Sequence, residues 1–360
     1  MSDTLMVERL KKCIDLLQGQ EIRIMEVCGT HTQVIAKSGI RYLLSKEVLL
    51  LSGPGCPVCV TSESDIDMVI ELLDLEDIIL VTFGDMMKVK GTHFSLSDKK
   101  AQGSNIYVVY SPEDALTIAA NNRNKLVVFI AVGFETTAPL IAVTVKQREA
   151  RELDNLLFFT SLKRMEPIIR FILQDKRNKI NGMICPGHVA TITGADQFGF
   201  ITDEFGLPAV LCGFENQDIA TGICVLLEQI TGQRPMEFIN LYKRCVSWNG
   251  NTIAKNLINE VFEVADVDWR GIGMIEKSAL VLGNKFEHLD VIKKLGLKKE
   301  QYSDSVYCFC NDIILGIKMP YQCKLFGSIC TPKSPKGPCM VSSEGACATH
   351  FRYGGYEKYG

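Results

Sequence analysis

Long apolar runs are missing from this 360-residue chain. A membrane-spanning helix needs roughly 20 consecutive apolar residues. The best stretch, Leu126 to Phe134, is short and is stopped by Glu135. The segment MSDTLMVERLKKCIDLLQ sets charges among apolar residues at helical spacing. It lacks the unbroken apolar stretch and small-residue cleavage site of a signal peptide, so it reads as an amphipathic helix. No lysine- or arginine-rich block occurs and the formal charge is -3, which leaves no electrostatic footprint for nucleic acid or an anionic membrane. Small molecules and proteins are the expected partners, and the cytoplasm the expected location. A G-x-x-x-x-G-K-[ST] loop is absent, which removes one route to nucleotide binding.

What is abundant is cysteine. The chain has 14, too many for background and too unevenly spaced for a small secreted disulfide framework. Six fall between Cys308 and Cys347. In a reducing compartment, clustered thiols serve as metal ligands or redox groups more often than as crosslinks.

With 47% hydrophobic residues, the chain is long enough for two or three cores. From Glu21 to about Asp218 it repeats one pattern: a short, continuous apolar run, a loop of Gly, Pro, Cys or charge, then a helix-compatible stretch. The runs are Ile22–Val27, Val48–Leu51, Ile78–Phe83, Ile106–Tyr110, Leu126–Val132, Leu156–Thr160, Gly182–Ile184 and Ala209–Leu211. Continuous rather than alternating hydrophobicity marks strands covered on both faces, as in parallel sheets flanked by helices. The expected fold class is α/β, with two parallel-sheet domains over residues 1–122 and 123–232. A third, mainly helical, cysteine-rich domain is expected over 233–360, where helix-like stretches such as Thr252–Val264 precede a tail rich in Cys and Pro. Ligands of open α/β sheets sit beyond the carboxyl ends of the strands, and Cys28, Cys56, Cys59, Asp85, Glu135, Arg164, His188 and Glu215 each follow an apolar run by a few residues.

Three constellations carry chemistry. In Glu26-Val-Cys28-Gly-Thr-His31-Thr32, a thiol at a helix N-terminus would feel the helix dipole, which favours thiolate; the alternative is a buried structural cysteine. In Ser52-Gly-Pro-Gly-Cys56-Pro-Val-Cys59, a C-x-x-C pair beginning a helix can close a disulfide with little chain movement. A structural zinc site would need a second such pair, which the chain lacks, so half of a composite zinc site and an inert structural loop stand as the alternatives to redox or transient metal work. In the tail, Cys308, Cys310, Cys323, Cys330, Cys339 and Cys347 supply more than the four thiolates a [4Fe–4S] cluster requires. Zinc remains open there, although the long uneven spacings are unlike paired zinc knuckles. The C-x-x-x-C-x-x-C pattern of radical enzymes that use S-adenosylmethionine is absent. Gly133-Phe-Glu135-Thr136-Thr137 reads either as a ligand-holding turn or as simple N-capping. Cys185 with His188 could contribute a ligand, whereas Cys13, Cys224 and Cys245 read as structural.

Taken together, the stretches EVCGTHT, SGPGCPVCVT, TFGDMMKV, YSPEDAL, GFETTAP, PGHV and KLFGSICTPKSPKGPCMVSSEGAC resemble HypD, the hydrogenase formation family, from about Glu26 to Tyr353. The family's cluster spacing falls on Cys308, Cys323, Cys330 and Cys347, leaving Cys310 and Cys339 unligated. Departures are minor: Lys90 and Asn216 replace expected prolines, and Cys185 and Cys212 stand where the family needs no thiol. The resemblance implies a scaffold for the Fe(CN)2CO group of [NiFe]-hydrogenases, with Cys28 as iron-binding thiolate and Cys56/Cys59 as a dithiol/disulfide pair. His31, Glu135, Thr136 and Thr137 would support them by hydrogen bonds. It also implies HypC as the partner sharing the iron, a thiocyanate-like group on HypE as cyanide source with HypF acting indirectly, and electrons passing from cluster to dithiol to iron. Two other classes stay open: a free-standing iron-sulfur thiol/disulfide oxidoreductase, for which Cys28 is dispensable, and a zinc-stabilised interaction protein without enzymatic activity.

Overall fold

The structure, a computed structural model, describes residues 3–44, 46–297 and 308–354. The outermost residues of the expected terminal domains, 1–2 and 355–360, and the stretch 298–307 lie outside that description. All eight apolar runs are strands: β1 (Ile22–Glu26), β2 (Val48–Ser52), β3 (Ile78–Phe83), β4 (Ile106–Val109), β5 (Leu126–Gly133), β6 (Leu156–Lys163), β7 (Gly182–Cys185) and β8 (Ala209–Leu211). Three more complete the sheets: β9 (Phe238–Asn240), β10 (Phe262–Trp269) and β11 (Gly273–Leu282). No helix among the described residues is long and apolar enough to cross a membrane.

The chain forms two compact units that interleave along the sequence: Met1–Cys56 with Ile169–Asn251 and Tyr307–Gly360, and Pro57–Ile168 with Thr252–Val306. This division differs from three consecutive domains. The reason is strand pairing: β1 lies between β2 and β7, so its second partner arrives only after a long excursion of the chain.

The first unit holds a fully parallel sheet of order β2-β1-β7-β8-β9. β7 is buried throughout, as its uninterrupted apolar sequence requires. Helix α1 (Asp3–Asp15) packs against α6 (Asn216–Ile230), with Arg9 paired to Glu228 at 2.6 Å. Cys13 and Cys224 belong to that core, and the Cys224 thiol sits 3.5 Å from the Met6 sulfur. Cys245 is exposed. Among its described residues the cysteine-rich C-terminal region contains short helices, including α8 (Ala346–Tyr353), which lies on α2 (Gly29–Lys37).

The second unit holds a six-stranded sheet of order β10-β11-β6-β5-β3-β4, parallel from β6 to β4 and antiparallel across β10, β11 and β6. The helix expected over Thr252–Val264 stops at Val261 as α7 (Thr252–Val261). From Phe262 the chain becomes a strand, because Phe-Glu-Val-Ala-Asp-Val-Asp-Trp loses helical periodicity and pairs with β11. Helices α3 (Glu63–Leu72), α4 (Ala138–Ala150) and α5 (Met165–Gln174) follow β2, β5 and β6 in the chain. Phe129, in β5, lies edge-on to both Phe83 and Phe158 and is inaccessible to solvent. Phe129→Ala is expected to cost this unit about 3–5 kcal/mol. Tyr107→Ala, on the exposed face of the edge strand β4, should stay within about 0.5 kcal/mol of the native protein. Urea denaturation followed by the fluorescence of buried Trp269 distinguishes the two.

Candidate functional site

In the first unit, the unusual residues collect where β1, β2, β7 and β8 end. Cys28 is the N-cap of α2, and the main-chain N–H groups of Thr30 and His31 are directed at its thiol. Two glycines let other segments approach. A Cβ on Gly55 would lie 2.4 Å from the Gly29 nitrogen and 2.7 Å from the Cys28 Cα, so the turn that ends in Cys56 rests on the Cys28 main chain. A Cβ on Gly29 would lie 2.6 Å from the Cβ of Glu344, in the cysteine-rich tail. Neither position tolerates a side chain without displacement.

Around the thiol stand His188, with Nδ1 3.9 Å from Cys28 Sγ, and Phe214, stacked on His188 at 4.0 Å and tilted over His31 at 4.5 Å. His31 Nε2 lies 3.1 Å from the Gly213 carbonyl and 3.7 Å from Cys212 Sγ, while its Nδ1 is buried without a partner. Glu26, also buried, accepts the Cys28 N–H at 3.0 Å and the Thr32 hydroxyl. His188 was only a weak signal in the sequence, and Glu26 and Phe214 gave none as site residues. The strand-ending Cys-Pro-Gly-His stretch was the available clue to the first.

Burial controls the electrostatics. It pushes the Glu26 carboxyl up to about 7, against the pull of the Thr32 hydroxyl and the Cys28 N–H. Desolvation, and secondarily the Glu26 charge, pushes the Cys28 thiol up to about 12. The N–H groups of His31 and Thr30 oppose this and lose. Against the expectation that the helix start favours thiolate at Cys28, burial outweighs the helix N–H groups and favours the protonated thiol. Burial also lowers His31 to about 4 and lowers His188, so both imidazoles are neutral. A soft cation would replace the thiol proton, since a coordinating thiol is deprotonated outright.

Cys56, the last residue of the first unit, is buried. Cys59, likewise buried, lies near the start of the second unit on Val58–Val60, a single 3-10 turn rather than the start of an α-helix. The α-helix begins at Glu63, capped by Ser62, whose hydroxyl accepts the Asp65 N–H at 3.1 Å. Glu135, Thr136 and Thr137 form a separate group in the second unit, between β5 and α4. Glu135 is buried and accepts the Met165 N–H, at the start of α5, at 2.8 Å. Its other oxygen has no partner. Thr137 occupies the N-cap position of α4 without a side-chain capping bond, and its side chain fills the space beside Gly133. Capping by a threonine hydroxyl is therefore not its role.

In the tail, a Cβ on Gly337 would meet Cys308 Sγ at 2.3 Å and Cys310 Sγ at 2.8 Å. The Lys336 N–H points at Cys330 Sγ from 3.3 Å. Cys347 is hydrogen-bonded to Cys310 and feels Cys339 and Cys308, which together with burial raise its pKa. Cys330 is raised by burial and by the same neighbours, Cys308 and Cys310. Of the four thiols that the family resemblance implies as ligands, Cys308, Cys330 and Cys347 share this neighbourhood with Cys310 and Cys339, while Cys323 is buried at the end of the Pro320–Gln322 turn. No group of three or more His, Cys, Asp or Glu side chains among the described residues is drawn together in the manner of a single-ion site.

These features define a thiol-rich α/β protein whose candidate reactive groups lie at strand ends and in a tail of clustered cysteines. The chain belongs to the HypD hydrogenase formation family. A family model described as "HypD: Hydrogenase formation hypA family" matches residues 4–354. The chain is 40% identical over 334 residues to the hydrogenase maturation factor HypD of Escherichia coli, covering 92% of this chain and 89% of that protein. It is 38% identical over 347 residues to HypD of Cupriavidus necator, covering 94% and 91%. It is 36% identical over 350 residues to a putative hydrogenase expression/formation protein of Methanocaldococcus jannaschii, covering 96% and 97%.

Glu135 gives the second unit a defined pH response. Burial raises its carboxyl from the ordinary 4.5 to about 7, more than the Met165 N–H lowers it, so the fold favours the protonated form. Its contribution is fully present below about pH 4.5 and is lost as pH rises through about 7, on the order of 3 kcal/mol in all. Glu135→Gln keeps an acceptor for Met165 and has no proton to lose. The urea midpoint of the variant is expected to fall less between pH 4.5 and 7 than that of the native protein.

Proposed function

We propose that this chain is a hydrogenase maturation factor that works in the cytoplasm and holds iron at Cys28 while the metal acquires the diatomic ligands of an Fe(CN)2CO group. The iron is cargo, and a HypC-type partner shares it. The observation that carries this reading is the environment of Cys28: a buried thiol after an internal strand, with the His188 imidazole 3.9 Å away, Phe214 stacked on that imidazole, and the turn that ends in Cys56 laid over its main chain. Soft thiolate suits low-valent iron carrying strong-field ligands, and a water-poor site protects such a species.

Cyanide delivered as a thiocyanate group on a HypE-type partner must be released reductively. Each transfer breaks one S–C bond, consumes two electrons, and leaves a thiol and cyanide. The Cys56/Cys59 pair, as one thiol and one thiolate, supplies those two electrons and the one proton taken up by the leaving thiol, and closes a disulfide. His31 and Thr32 orient the first turn of α2 through Gly213 and Glu26.

The tail suits a [4Fe–4S] group. Five thiols share one buried neighbourhood, the Lys336 and Gly337 N–H groups face Cys330, and a glycine stands where any side chain would strike Cys308. Cys308, Cys323, Cys330 and Cys347 would hold it, and when bound it supplies one-electron chemistry.

The test is anaerobic co-isolation with the HypC-type partner, followed by iron and sulfide analysis and infrared spectroscopy. The native complex is expected to show cyanide and carbonyl stretching bands together with broad visible absorbance. Cys28→Ala should lose the infrared bands and keep the visible absorbance. Bands that survive in Cys28→Ala would contradict the iron assignment. A colourless, zinc-containing native protein would favour an interaction protein instead.

A further inference from the structure

The turn that carries Cys59 is fastened from an unexpected quarter. Arg270 sits at the tip of the β10–β11 hairpin, within the second unit. Its main-chain N–H donates to the carbonyl of Val60, the residue after Cys59, at 3.1 Å. Its Nη2 donates to Glu63 Oε1 at 2.6 Å, and both side chains are about nine-tenths buried. The remaining terminal nitrogen, Nη1, is buried and has no hydrogen-bond partner.

That combination is costly unless something more is gained from it. A guanidinium nitrogen taken out of water without an acceptor forfeits a hydrogen bond to a charged group. A structural latch between hairpin and turn would be served by the main-chain bond and the Glu63 pair alone. The surplus donor belongs to a cation tied to a turn whose neighbouring residue, Cys59, can carry negative charge only while the pair is reduced. Resting on the reading of Cys56/Cys59 as a redox pair, we infer that Arg270 is a positioning residue for that pair: it fixes the Val58–Val60 turn through Val60 and Glu63 and keeps positive charge beside the Cys59 thiolate. Glu63 is the counterweight, partly neutralising the guanidinium. Stabilising the thiolate favours the reduced pair and makes the disulfide a stronger oxidant.

The full-length native protein, Arg270→Met, Arg270→Lys and Glu63→Gln are each equilibrated anaerobically in glutathione buffers. In these buffers dithiol plus oxidised glutathione exchanges with disulfide plus two reduced glutathiones. Samples are acid-quenched, alkylated after denaturation, and the peptide containing Cys56 and Cys59 is quantified by mass spectrometry. Arg270→Met should shift the equilibrium about tenfold toward disulfide, Glu63→Gln should shift it the opposite way, and Arg270→Lys should lie near the native value. A latch without electrostatic function moves both charge-removing variants in one direction or neither, and that result overturns the inference. A native pair that never exchanges with glutathione overturns the redox reading itself, and the inference with it.

Discussion

The close approach of three chain segments at Cys28 is the constraint on which the rest of the proposed site depends. The turn after β2 reaches the Cys28 main chain only because residue 55 is glycine, and the tail reaches α2 only because residue 29 is glycine. Each contact is shorter than a Cβ would permit, so these segments meet as backbone against backbone or backbone against side chain. Sheet register supplies the alignment: Glu26 pairs with Ser52 on one side and Ile184 on the other, so the loops that follow all three strands leave the sheet at one level. Cys28, the turn bearing Cys56 and the segment bearing His188 are thereby delivered to one place by a parallel sheet.

Close packing has an electrostatic consequence. Cys28 and Glu26 are buried, and burial raises both, to about 12 and about 7, so that the protonated form of each is favoured. The N–H groups at the start of α2 are aimed at the thiol, yet a partial helix charge does not repay the desolvation of a thiolate. For the proposed iron, the metal would bring the charge that the dipole does not supply, and its binding would be coupled to loss of a proton. The tail follows the same rule: burial and neighbouring thiols raise the pKa of Cys330 and Cys347.

The strands were legible in the sequence because burial on both faces writes a continuous apolar run, and all eight runs became strands. The β10–β11 hairpin was not, because Thr252–Val261 reads as a helix up to the residue where alternation begins, and a half-exposed strand there lacks the long apolar run. Unit boundaries were hidden for a different reason: partners as distant as Met25 and Met183 leave no local trace. Within the site, Cys28, His31, Cys56 and Cys59 stood out by type and by glycine-rich spacing. Glu26, Phe214 and Arg270 did not, since a carboxylate inside a strand, a ring after one and an arginine in a turn acquire meaning only from what they face.

The most direct test of the claim that burial keeps Cys28 protonated until metal arrives is proton release on anaerobic binding of iron(II) near pH 7.5. It is measured with a pH indicator in weak buffer for the native protein and Cys28→Ala, both with the tail site already loaded. The native protein should release about one more proton per molecule than the variant. Equal release from the two would mean that Cys28 is already a thiolate in the metal-free protein, or binds no iron, and would contradict the account.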